Sequence, residues 1–319
     1  MARIRPGRIS RFVAELRVEP GRKVRLPRDF DPSKTTRGVS RSEAKAILGQ
    51  GIEYLAEYQA RLAAQDDYGV LVCLQAMDAA GKDGAIRHVM SGVNPQGVEV
   101  HSFKVPSSED LDHDYLWRYQ KRLPERGHIG IFNRSYYEEV LVVRVHPQIL
   151  EGQKIPAKLK DRGIWKRRYR EINDWEHYLT DQGYRIVKIF LNVSKDEQRD
   201  RLVTRIDDAE RNWKFSAADV TERRHWDAYQ AAFADVLSNT STPWAPWYVI
   251  PADNKPFARL AAGAVILDTL VKIDPRYPSV SAAARAAFAD ARVELLDGSA
   301  TGSSLPRGTK RSRRRSSAS

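Results

Sequence analysis

LQAMDAAGKDG, Leu74 to Gly84, closes the apolar run GVLVCLQAM (69–77) and opens a helical segment that continues through IRHVMSGV. A short continuous apolar run reads as a parallel strand buried on both faces. Strand, glycine-containing turn and helix start are the context of a phosphate-binding loop. The match to G-x-x-x-x-G-K-[ST] is nevertheless degenerate. Ala76 stands where the first glycine belongs, and Asp83 replaces the hydroxyl that normally holds Mg²⁺. Gly81 and Gly84 flank Lys82 and let backbone N–H groups turn inward, while the helix that follows presents its N-terminal dipole to an anion. The bland alternative is an ordinary strand-to-helix turn with an exposed lysine. Asp78, four residues before Lys82 at the strand tip, is a hard ligand that can replace the missing hydroxyl. A carboxylate inside a phosphate loop repels the substrate unless a metal stands between them. Asp83 reads instead as the acid of the helix's first turn.

Outward from this stretch, four more apolar runs follow: VEVHSF (98–103), HIGIFN (128–133), YRIVKIFLNV (184–193) and WYVIPA (247–252). Between and beyond them lie helical patterns at 114–123, 136–145, 164–179, 195–206, 218–237 and 255–273. Ser40 and Glu43 form a capping box ahead of a helix to about Gln65. Strands alternating with helices predict an α/β fold, a mostly parallel sheet with helices on both faces, with ligands bound beyond the strands' carboxyl ends. Residues 1–38 mix Arg, Pro and Gly without periodicity and are expected as a basic surface arm. The main domain is expected over 39–275 with a lid at about 195–225, then a helical extension (276–297) and a disordered basic tail (298–319) rich in Ser, Arg and Gly.

Composition narrows the classes. With 42% apolar and 29% charged residues in 319, the chain is an ordinary globular protein. No apolar run approaches the ~20 residues of a membrane span and no secretory leader is visible, so a cytoplasmic location and no membrane partner are expected. The single cysteine, Cys73, reads as a small buried hydrophobe and excludes disulfide or Cys-based metal chemistry. The net charge of +12 divides into +6 in residues 1–29 and +6 in 298–319, leaving 30–297 formally neutral. Nucleic acid is therefore not an expected partner of the body, and any polyanion site there must arise from local clustering.

Two further stretches carry chemistry. In IFNRSYYEEVLVVRV (131–145), Asn133, Arg134 and Ser135 end an apolar run, and Glu138 and Glu139 follow. Arg134 is placed to clamp a phosphoryl group and Glu138 to orient a metal-bound water or a nucleotide group. The bland alternative is a helix capped by Ser135 with acids in its first turn. In SKDEQRDRLVTRIDDAERNWKFS (194–216), Ser194 and Glu197 form a capping box, and Arg199, Arg201, Arg205, Arg211 and Lys214 follow where nucleotide kinases keep a closing lid. As a charge run alone it reads as a solvated face.

AMDAAGKDG, FNRSYYEEV and NWKFS, together with WAPWYVIPAD (244–253), resemble the polyphosphate kinase 2 family over roughly residues 30–273. GVNPQGV (92–98) and FNRS, standing where other members carry Asp-Arg-Ser, resemble its class III branch. The resemblance implies a thymidylate-kinase-like P-loop core with a helical lid. It also implies Mg²⁺-dependent phosphoryl transfer between inorganic polyphosphate and ADP or AMP, with Mn²⁺ as a substitute metal. Guanine nucleotides are left open as acceptors, and a homo-oligomer, a dimer or a tetramer, is implied. Asp78 is then the expected metal ligand, Lys82 the holder of the transferring oxygens and Arg134 the stabiliser of developing charge. Asn133 and Glu138 bear on AMP acceptance. The phosphate- and nucleotide-binding set comprises Ala79, Ala80, Gly81, Lys82, Asp83, Gly84 and Arg87 with Asn133, Arg134 and Glu138. Arg205, Arg211 and Lys214 are expected to close over the phosphates. Lys104, Arg118 and Arg122, after the run at 98–103 or on the helix beyond it, are candidates for a polyphosphate channel. Rival readings are an ATP-dependent nucleoside-monophosphate kinase and a non-catalytic polyanion or nucleic-acid binder using the basic ends.

Overall fold

The computed structural model describes residues 6–35, 41–210 and 212–296. Ser40 of the expected capping box, Arg211 and the basic tail lie outside them. Each apolar run forms a strand: β1 Gly69–Ala76, β2 Val98–Ser102, β3 Ile129–Asn133, β4 Tyr184–Asn192 and β5 Trp247–Pro251. They pair in the order β2-β3-β1-β4-β5, parallel throughout. β1 is central, with Leu74 opposite Asn133 of β3 and Cys73 opposite Lys188 of β4. The chain runs from β1 to one side of the sheet and then crosses to the other, so a crevice opens at the carboxyl end of β1. β1, β4 and β5 are almost wholly buried, the physical reason their sequences show no alternation.

Residues 6–35, expected as a basic surface arm, are mostly exposed or half-buried but send a few side chains into the core. Helix Pro6–Ala14 packs Phe12 edge-on against Phe257, and Val13, Leu16, Val18 and Val24 are buried. Val18 N–H donates to the Trp247 carbonyl and Val249 N–H to the Leu16 carbonyl, each at 2.8 Å. Arg17 thereby bridges antiparallel to Tyr248, and the free edge of β5 is covered.

Long helices lie where the periodicity placed them, at Arg41–Gln65, Ile164–Asp181, Lys195–Asp207 and Lys255–Ile273. Three expected helices are shorter. The segment 114–123 keeps one turn, Trp117–Gln120, and 218–237 is two helices, Ala217–Arg223 and Trp226–Thr240. The segment after Arg134 is a 3₁₀ turn, Tyr136–Val140, followed by Val142–Val145. There, Tyr136 and Tyr137 both donate to one Glu176 oxygen while Glu139 turns to Arg168. Tertiary partners on two sides override the helical period. Among the described residues no helix is long and apolar enough to cross a membrane. Residues 278–296 belong to a separate unit whose helix, Ala282–Leu296, buries none of its side chains.

Candidate active site

The loop after β1 and the turn after β3 meet at the crevice because their strands are neighbours. Lys82 begins helix Lys82–Val89, and its Nζ donates to the Ala76 carbonyl at 2.9 Å, folding the side chain back over the loop. Gly81 has φ 109°, a conformation only glycine adopts without strain. Ala79 (φ 60°) and Arg134 (φ 65°) are also left-handed, and strained non-glycine backbone of this kind clusters at functional sites. The Arg134 N–H donates to the Leu74 carbonyl at 3.1 Å, locking the β3 turn to β1.

Side chains converge from both segments. Arg134 Nη2 lies 3.1 Å from Asp78 Oδ1, and Nη1 lies 3.6 Å from Glu138 Oε2. Side-chain exposures of 32% for Asp78 and 41% for Arg134 leave both open to a ligand. Burial lowers the pKa of Lys82, against the pull of Asp78, Glu138 and Asp83 and with the push of Arg134. Burial raises that of Glu138, although Arg134 and Lys82 oppose it. Burial works against the charged form of Arg134 as well, but Glu138 and Asp78 outweigh it and raise its pKa. Lys82 and Arg134 thus gather with Asp78 and Glu138 at one half-exposed place where an arriving phosphate or metal ion meets groups of both signs.

The other expected residues fall around this centre. Ala80 is buried, Asp83 and Arg87 are exposed, and Gly84 is half-buried within the helix's first turn. Asn133 Nδ2 donates to Asp83 Oδ1 at 2.8 Å and approaches Ser102 Oγ at 3.4 Å. Asp83 is therefore a partner of the β3 turn as well as a helix-end charge. Ser102 leads into a cleft of about 430 Å³ lined by His101, Trp117, Arg118, Lys121 and Arg122. Arg118 is held there by Asp110 at 3.5 Å and by the Lys104 carbonyl at 3.2 Å, with the Lys104 side chain exposed at the surface. Arg205 pairs with Asp219 at 3.1 Å. Arg211 lies outside the described residues, and Lys214 is placed by its backbone in the turn Asn212–Lys214.

Several residues at the site were not singled out by the sequence for the places they take. Gln75 is buried at the end of β1, donates to Ser135 Oγ at 3.0 Å and hydrogen-bonds the Glu138 side chain. Asp219 lies in the field of Asp78, which together with burial raises its pKa against Arg205. Arg201, grouped by sequence with the lid arginines, is 7% exposed and turned to the back of the phosphate loop. A polar residue inside an otherwise apolar run, as Gln75 is in GVLVCLQAM, was the one available hint.

Comparison with known proteins identifies the family. The family model for polyphosphate kinase 2 matches residues 38–278. A Rhodopseudomonas palustris protein named ADP-polyphosphate phosphotransferase is 48% identical, covering 88% of this chain and 98% of its own length. An AMP/ADP-polyphosphate phosphotransferase from Meiothermus ruber is 44% identical, over 82% of this chain and 94% of that protein. The crystal structure of polyphosphate kinase 2 from Arthrobacter aurescens superposes with a TM-score of 0.78 at 38% identity, covering 91% of this chain and 98% of that one. The chain belongs to the polyphosphate kinase 2 family.

Proposed function

We propose that this family member transfers phosphoryl groups from inorganic polyphosphate to ADP and AMP, forming ATP, at the carboxyl ends of β1 and β3. The observation that carries the reading is the convergence of Asp78, Lys82, Arg134 and Glu138 around a glycine-bearing loop at that point.

Phosphoryl transfer of this kind needs positioning and charge stabilisation more than bond-making side chains. Lys82 and the loop N–H groups hold the terminal phosphate of the donor. Arg134, released from Asp78 and Glu138, donates to the transferring oxygens as their charge spreads. The attacking phosphate oxygen of the nucleotide is ionised near neutral pH, so no strong base is required. Asn133 and Glu138 orient the acceptor, and AMP acceptance rests on them. Arg205 with Arg211 and Lys214 closes over the phosphates, and Arg118 and Arg122 in the cleft beyond Ser102 give a long polyanion a basic path.

The residues fit a shared magnesium ion. Asp78 supplies an accessible carboxylate, and among the described residues no three His, Cys, Asp or Glu side chains form a cage. A single protein carboxylate completed by phosphate oxygens and water is a usual donor set for Mg²⁺. Bound there, Mg²⁺ would neutralise phosphate charge and template the oxygens. The test is a matrix of polyphosphate or ATP as donor against AMP, ADP, GMP and GDP, with and without Mg²⁺. Transfer from polyphosphate to ADP and AMP is expected; transfer from ATP alone would replace this reading by that of an ordinary monophosphate kinase.

A further inference from the structure

Helix Lys195–Asp207, the first stem of the lid, applies one face to the back of the phosphate loop. Gln198 Nε2 donates to the Asp78 carbonyl at 3.0 Å. Almost one turn later, Arg201 Nη1 donates to the carbonyls of Ala79 at 3.1 Å and Ala80 at 2.8 Å. Three consecutive loop carbonyls are thus drawn toward the helix. Across a trans peptide, the next residue's N–H points the opposite way. The N–H groups of Ala79 and Gly81 therefore face away from the helix, while that of Ala80 closes the turn on the Met77 carbonyl at 3.3 Å. A run of N–H groups on one side of a left-handed turn is an anion-binding concavity. It includes the strained Ala79, a conformation that persists only where surrounding bonds over-determine it.

Arg201 has no spare capacity for a substrate. Its Nη2 donates to the carbonyls of Ala252 (2.6 Å) and Asp253 (3.0 Å) beyond β5, and its Nε pairs with Glu197 at 2.7 Å. The guanidinium fork joins the loop after β1 to the loop after β5, a geometry lysine cannot reproduce. Gln198 is engaged at both ends as well. Its Oε1 accepts from Arg223 Nη1 at 2.8 Å, and Arg223 ends helix Ala217–Arg223 on the lid's returning stem.

We propose that Gln198 and Arg201 are positioning residues that hold the Asp78–Ala80 backbone in its anion-binding form, and that the Arg223–Gln198 bond ties this form to the returning stem of the lid. The proposal rests on the phosphotransferase reading only for its kinetic consequence; loop binding of a short phosphate chain is testable without turnover. Gln198→Met and Arg201→Lys are compared with the parent, with Arg199→Ala as the control. Arg199 is on the same helix but exposed and bonded to Asp196 and Asp200. The measurements are melting temperature, kcat and KM for ADP, and the heat of tripolyphosphate binding with and without Mg²⁺.

Misplacement of the loop by about 1 Å predicts a loss of about 10²-fold in kcat, with KM for ADP changed by less than about threefold. Tripolyphosphate affinity falls about tenfold in both variants, with or without Mg²⁺, and Arg199→Ala matches the parent. Gln198→Met preserves side-chain volume and charge, so it decides alone if Arg201→Lys does not fold. A folded Gln198→Met protein with kcat and tripolyphosphate affinity within about twofold of the parent overturns the proposal. If the parent binds tripolyphosphate but transfers nothing, the catalytic reading fails and the affinities still decide on the loop.

Discussion

Two lysines on neighbouring elements of the sheet have opposite surroundings. Lys188, within β4, has no exposed side-chain surface, nor does its partner Glu176. Its Nζ donates to Glu176 and to the Thr240 carbonyl, each at 2.6 Å, and to the Tyr137 hydroxyl at 2.9 Å. Three donors meet three acceptors. Lys82, just beyond β1, has among the described residues one hydrogen-bond acceptor, the Ala76 carbonyl. Its carboxylates act on it through space. Burial lowers the pKa of both lysines. A buried charge whose donors are all met is a fixed part of the fold. Lys82, half-buried and left short of partners, is held in readiness for an anion, and the fold bears a stability penalty for it.

Removing the ready charge is the most severe way to break this contrast. Asp78→Asn and Lys82→Met should each abolish polyphosphate-dependent transfer. Lys82→Met should also melt no lower than the parent. A lysine whose folded pKa lies below its unfolded value is charged more readily in the unfolded chain, so stability rises as pH rises through that interval. Scanning calorimetry at rising pH up to the ordinary lysine value should show this rise in the parent and a flatter curve in Lys82→Met. Arg134→Ala comes next, with a loss of about 10³-fold in kcat, the low end for an arginine that stabilises the transferring group.

The fixed charge should behave in the reverse sense. Lys188→Met removes the cation beside the buried Glu176 and leaves only the Tyr136 and Tyr137 hydroxyls donating to it, and denaturant titration should register a loss of about 3–5 kcal/mol. Adding Glu176→Leu should recover much of it. If Lys188→Met proved as harmless to stability as Lys82→Met, the distinction between the two lysines would collapse.

Glu138→Gln is the mildest case. Its carboxyl is raised by burial, so the folded chain holds that proton more tightly than the unfolded chain does. The stability it contributes is present at acid pH and fades as pH rises through the raised value. Below that value the carboxylate partner of Arg134 is lost. The kcat profile of the parent should therefore fall on the acid side at a higher pH than an ordinary glutamate would give. Glu138→Gln should lack that limb, with kcat reduced about tenfold throughout, as expected from loss of one charge-assisted contact.

The sheet was legible because the mostly apolar runs of β1, β3, β4 and β5 leave a buried parallel strand few alternatives, with the alternating VEVHS forming the half-exposed edge strand, and the observed bounds differ from the expected ones by at most a residue at each end. The loop chemistry was legible because glycine and lysine spacing is local. Lys188 was not, since nothing in YRIVKIF tells a solvated lysine from one opposite Glu176. Arg201 was misplaced for the same reason: its four carbonyl partners come from two distant loops. Arg17 and its neighbours cover β5 through backbone bonds, which leave no trace in side-chain pattern. The turn after Arg134 looked helical because residues 136–145 suit a helix, whereas Glu176 and Arg168 dictate its shape.

The most direct test of the central claim is ATP formation from ADP with polyphosphate as the only donor, in Mg²⁺, for the parent and for Asp78→Asn at matched folded concentration. The account predicts sustained ATP formation by the parent and none above background by Asp78→Asn. Near-parental formation by Asp78→Asn would contradict it.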